Sequence, residues 1–182
     1  MNPFFIFLDI DGTLWDNSQT DHNLVTNDQL NLDSINALNN LIDNLTKLNY
    51  DPCIVVISKR RVFWQSCKYF LYYHGVNEDV PMLKLPIGKF TRGERISIFL
   101  HDYACGRDIC SGSRKYSFFD KLFFNYSKHA ENYVVIDDNY KALENIPAEH
   151  YIKTNIKNGA LNQKMVDNYL EQLSNNPAEI EK

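Results

Sequence analysis

At 182 residues, with 44% hydrophobic content and a net charge of −4, the chain has room for one ordinary core and lacks the basic excess of a protein that coats nucleic acid. No basic n-region precedes its first apolar run, which is too short for a signal h-region or a membrane span, so a cytoplasmic protein without membrane attachment is expected. Cys53, Cys67, Cys105 and Cys110 form no Cys-x-x-Cys pair and keep no ordered spacing to the histidines, which argues against a structural zinc site and leaves free thiols as the expectation.

Phe4-Phe5-Ile6-Phe7-Leu8 predicts a buried parallel strand, and it stops at Asp9-Ile10-Asp11-Gly12-Thr13-Leu14. The carboxyl end of such a strand is where open α/β sheets place ligands. Carboxylates at i and i+2 point the same way while the chain is extended, and Gly12 lets it turn sharply beyond them. Such a pair binds Mg²⁺. A phosphate monoester is anionic, so a carboxylate nucleophile needs a cation to screen repulsion and a second group to protonate the departing alkoxide. Asp9 suits the first task and Asp11 the second. Asp11 then has to hold a proton when the leaving group departs and be ionised when water attacks. The bland alternative is an ordinary Asp-Gly turn.

Trp15 to Asn31 is polar and aperiodic, a flap over residues 15–31 that is too short for a cap domain. Leu32, Ile35, Leu38, Leu41, Ile42, Leu45 and Leu48 repeat at helical spacing, an amphipathic crossover to a second strand at Cys53–Ile57. That strand ends at Ser58, by itself an unremarkable helix cap. A helix from Val62 to His74, broken by Gly75, follows Lys59-Arg60-Arg61. Its Val62, Phe63, Tyr69, Phe70 and Tyr73 fall near helical spacing and read as core, with the charges as its wet face; the competing reading is a base-stacking surface.

Met82–Leu85 predicts a short strand before Pro86, and residues 87–114 read as a small lid or an insertion. Tyr133–Ile136 is a third long apolar run, ending at Asp137-Asp138. A short helix at Tyr140–Leu143, a strand at Tyr151-Ile152 and a helix carrying Leu161, Met165, Val166, Tyr169, Leu170 and Leu173 complete a single catalytic domain over 1–174, with 175–182 a frayed tail. The alternation implies an α/β fold, a Rossmann-like three-layer α/β/α sandwich on a mainly parallel sheet.

Asp9-x-Asp11-Gly12-Thr13 after an apolar strand, Ser58 after the second run and Asp137-Asp138 after the third occur in the order of the motifs of the haloacid-dehalogenase-like phosphohydrolases, which the chain resembles over nearly its whole length. The resemblance implies a phosphatase with little or no cap, working through an aspartyl-phosphate on Asp9 with Asp11 as acid/base. It implies Thr13 and Ser58 on the phosphoryl group, and Mg²⁺ held by Asp9, the Asp11 backbone carbonyl and one or both of Asp137 and Asp138. The family also uses a Lys, sometimes an Arg, between the second and fourth motifs. Lys115 fits by distance and ranks first. Arg92-Gly93-Glu94-Arg95 resembles a helix start in a subgroup found as a domain of multi-enzyme RNA-repair proteins; on that alignment Lys89 or Arg92 serves, and 104–130 contain an insertion.

Residues 59–121 hold 12 Lys and Arg against 6 Asp and Glu, which leaves 7 against 17 elsewhere. A basic segment following Ser58 suits an anionic substrate larger than phosphate, a nucleotide or a polynucleotide phosphate end. The alternatives are a small-metabolite phosphatase of the same fold and a non-catalytic phospho-receiver or binding domain. Receivers carry the phosphorylated Asp on the third strand, which is the wrong order for this chain.

Overall fold

Five strands, β1 (Asn2–Leu8), β2 (Tyr50–Val56), β3 (Met82–Lys84), β4 (Tyr133–Asp137) and β5 (Tyr151–Lys153), pair in parallel in the order β3-β2-β1-β4-β5. The computed structural model describes residues 2–15, 30–87, 89–107, 132–155 and 160–175. β1 lies at the centre, with Asn2 to Leu8 opposite Tyr50 to Val56 on one side and Phe5 to Leu8 opposite Tyr133 to Ile136 on the other.

The apolar runs are continuous because both sheet faces are covered. Phe4, Ile6 and Leu8 face one core with Ile54, Val56, Val134 and Ile136; Phe5 and Phe7 face the other with Val55, Ile57 and Val135. The first core is closed by α1 (Leu32–Lys47), α2 (Trp64–Tyr73) and α4 (Gln163–Asn175). The second is closed by α3 (Arg92–Ala104), whose Phe99 ring packs edge-on against Phe5 and Phe7. The fold is therefore the expected Rossmann-like α/β architecture.

Strand boundaries move slightly from the sequence reading. β2 starts at Tyr50 and runs through Pro52, because its pairing with β3 begins only at Ile54 and Pro52 therefore faces no partner on that side. No described helix is long and apolar enough to cross a membrane.

The aromatic helix overturns an expectation. Val62, Phe63, Tyr69 and Tyr73, read as core, are 60%, 75%, 70% and 87% exposed, whereas Arg61, read as part of the wet face, is buried. The helix packs instead through Cys67 and Leu71, with Trp64 partly buried against the same core. Two apolar stripes share this helix, and spacing alone does not say which one turns inward.

Between β1 and β4 the crossovers reverse direction. The first two helices carry the chain outward to β2 and β3, and after α3 it returns past β1 to β4. The carboxyl ends of β1 and β4 thus flank the topological switch point, the crevice where such sheets bind ligands.

Candidate functional site

Asp9 follows β1, Asp137 ends β4, and Asp138 is next in the chain. The Asp9 amide donates to the Ile136 carbonyl at 2.9 Å, so the strand pairing itself sets the two carboxylates side by side. One carboxylate oxygen from each of Asp9, Asp137 and Asp138 lies within 4.8 Å of the other two. Asp9 and Asp137 are buried and Asp138 is half-buried. Gly12 makes room for the third: its φ is +82°, and a Cβ there would stand 2.5 Å from Asp138 Oδ2.

Arg92 reaches the same cluster from the first turn of α3. Its Nη1 is 3.4 Å from Asp9 Oδ1 and also bonds Asp137 Oδ2. Two local features aim it. Thr91 and Glu94 form a capping box that fixes the helix start, and Gly93 lets the turn approach the Ala142 carbonyl, which a Cβ would meet at 3.2 Å.

Burial pushes the Asp9 carboxyl up to about 7; Arg92 opposes the rise, and Asp137, Asp11 and Asp138 add to it. Burial likewise raises Asp137, against Arg92 and the Asn139 amide, which donates to Asp137 Oδ1 at 2.8 Å. For Arg92, burial works against the charge, but Asp9 and Asp137 more than offset it and its pKa rises. Among the described residues, three carboxylates face one guanidinium, an excess of negative charge. Hard oxygen donors at this separation fit a divalent cation, so the group can hold a metal ion.

A second constellation adjoins the first. Ser58, the cap of the turn after β2, is fully buried; its Oγ accepts from the Arg60 amide and donates to Asp11 Oδ2, both at 3.3 Å. Arg60 Nε donates to Asp11 Oδ1 at 2.9 Å. The Arg60 guanidinium also lies over the Trp15 ring at 5.5 Å and the Phe70 ring at 5.6 Å. Asp11 and Ser58, far apart in the chain, therefore meet directly.

The remaining candidates are placed differently. Thr13 is buried and shares a hydrogen bond with the Thr154 hydroxyl at 3.0 Å, tying the first loop to the chain after β5. Lys89 is exposed. Lys115 lies outside the described residues, as do most of the 15–31 flap, the later part of 87–114 and all but the first residue of the 175–182 tail. Among the described cations considered for the third motif, Arg92 is the one that touches Asp9.

Arg60 and Trp15 were not among the site residues read from the sequence. The available signal for Arg60 was its place two residues after Ser58, in a turn short enough to return it to the first loop. Arg61 serves the scaffold. Its Nε donates to the Leu85 carbonyl at 2.9 Å, and its Nη1 donates to Ile57 at 2.7 Å and Ser58 at 2.6 Å, joining the ends of β2 and β3.

The chain thus presents a five-stranded parallel sheet with a largely buried acidic triad at its switch point. Comparison with protein-family models, with curated proteins and with solved structures returns no match.

Proposed function

We propose that the protein is a Mg²⁺-dependent phosphomonoesterase of the haloacid-dehalogenase-like type, in which Asp9 is the nucleophile. The observation that carries this reading is the convergence of Asp9, Asp137 and Asp138 under Arg92 at the carboxyl ends of two adjacent strands. The order of the motifs along the chain supports it independently.

Asp9, Asp137 and Asp138 would hold the ion, whose charge, when bound, screens the nucleophile from the phosphoryl oxygens. An Asp9 carboxylate oxygen attacks phosphorus and the ester oxygen leaves, taking a proton from Asp11. Asp11 then removes a proton from water, which attacks phosphorus, breaks the acyl-phosphate bond and frees Asp9. Arg92 keeps Asp9 aimed and favours its ionised form against the effect of burial. Ser58 hydrogen-bonds a phosphoryl oxygen, and Thr13 serves by anchoring the first loop.

Arg60 and Ser58 fix the Asp11 carboxylate within the site before substrate arrives. An arriving phosphate dianion competes for the Arg60 guanidinium and loosens its hold on Asp11, so that Asp11 is free to exchange a proton. The Asp11 side chain is 45% exposed. That openness suits an ester whose leaving group extends into solvent, such as a nucleotide or polynucleotide end.

The test is hydrolysis of p-nitrophenyl phosphate. Turnover is expected with Mg²⁺, with loss in chelator and in Asp9→Asn. Full activity in chelator or in that variant overturns the reading.

A further inference from the structure

The outward face of α2 is unexplained by its packing, and it begins at the candidate site. From Asp11 the contacts run in a line: Arg60 bonds the carboxylate and lies over the Trp15 and Phe70 rings. The Phe70 ring is 4.4 Å from that of His74, and His74 is 5.3 Å from the Tyr73 ring. Phe63, Tyr69 and Tyr73 hold their rings largely in solvent along the same helix and the turn before it. Rings of this size normally turn inward, and here Cys67 and Leu71 are buried in their place.

The charge of this face is one-sided. From Lys59 to Asn77 the chain contains no Asp or Glu, while Lys59 is exposed and Arg60 and Lys68 are half-buried. The whole protein is acidic, so the local balance runs against the global one. Aromatic rings with interspersed cations, and no acid in the sequence between Lys59 and Asn77, match a polyanion whose repeating unit carries a flat π-surface.

We infer that the α2 face is a track for single-stranded polynucleotide, on which successive bases stack against exposed rings while the terminal phosphate enters the site at Asp9. The inference rests on the phosphatase reading for what happens at the strand's end, and it narrows the substrate to a phosphorylated single strand. Stacking gives affinity with little choice of sequence, since every base offers a π-face. Arg60 joins the two parts, its guanidinium lying between the first rings and the carboxylate of Asp11. A duplex keeps its bases stacked on one another and gains little from these rings.

The test is fluorescence anisotropy with a fluorescein-labelled single-stranded oligothymidylate bearing a terminal phosphate, on the whole protein in Asp9→Asn form so that the probe survives. Binding that weakens with added salt is expected. Adding Phe63→Ala, Tyr69→Ala and Tyr73→Ala should weaken it at least about tenfold. Unchanged circular dichroism and melting temperature would show the fold intact. Duplex of the same sequence should bind more weakly than the single strand. Equal binding by the substituted protein, or no binding by its parent, overturns the inference. So does self-association that the three substitutions abolish in the absence of oligonucleotide binding, which would assign the face to a second copy. Failure of p-nitrophenyl phosphate hydrolysis removes the enzyme reading and leaves this binding result standing separately.

Discussion

Arg92 Nη1 lies 3.4 Å from Asp9 Oδ1 while bonding Asp137, so one guanidinium spans the ends of β1 and β4. Removing it takes away the guanidinium that faces these buried carboxylates among the described residues. Arg92→Ala is expected to lower kcat/KM at least about a hundredfold and to cost about 3 kcal/mol of stability in metal-free protein at neutral pH. Arg92→Lys should recover part of each loss, because an ammonium supplies the charge without the fork. Steady-state kinetics and urea unfolding check both. Kinetics equal to those of the parent would show that another cation does this work.

The raised pKa of Asp9 ties stability to pH. At about 7 in the fold against an ordinary 3.8, the carboxyl favours the folded state while protonated. That contribution is complete below about pH 4 and is lost as pH rises through about 7. The metal-free parent should therefore lose melting temperature between about pH 4 and pH 7, and Asp9→Asn should flatten the slope. Added Mg²⁺ at the upper end should restore the parent and leave the variant unmoved. Calorimetry across pH, with chelator and with Mg²⁺, measures it.

Gly12 combines a φ of +82° with the close approach of Asp138. Gly12→Ala strains the backbone and displaces that carboxylate. The expected cost is about 1 kcal/mol or more of stability and a tenfold or larger drop in metal affinity. Isothermal titration with Mg²⁺ reads the second effect, and unchanged affinity would argue that Asp138 is not a ligand.

Neighbouring arginines should separate cleanly. Arg61 is buried on three carbonyls, so Arg61→Ala is expected to destabilise by about 3 kcal/mol, with little rescue by Lys. Arg60 and Asp11 form a partly exposed pair, and Arg60→Ala should cost less than about 1 kcal/mol while lowering phosphatase activity. Equal stability losses would contradict this division of labour.

The strand-end acids were legible because buried parallel strands are nearly unbroken apolar runs, and a carboxylate closing such a run is conspicuous. Asp9, Ser58 and Asp137 each stand at that kind of break. Their order along the chain then implied the sheet. The orientation of α2 was not legible, since Phe63, Tyr69 and Tyr73 repeat at the same spacing as any buried stripe. Arg92 was legible only as one of three cations. Choosing among them requires knowing that Gly93 brings the start of α3 against the segment after β4, a contact between parts of the chain that no local pattern encodes. Arg60 was legible only as part of the basic run Lys59-Arg60-Arg61 after Ser58, because its bond to Asp11 comes from a turn that folds it back onto the first loop.

The central claim is that Asp9 itself carries the phosphoryl group. The direct measurement is acid quenching of the protein during turnover of p-nitrophenyl phosphate with Mg²⁺, borohydride reduction and peptide mass spectrometry to find the modified carboxyl. Modification at Asp9, absent in chelator and in Asp9→Asn, is the expected result. A modified Asp11, Asp137 or Asp138, or turnover with Asp9 unmodified throughout, would contradict it.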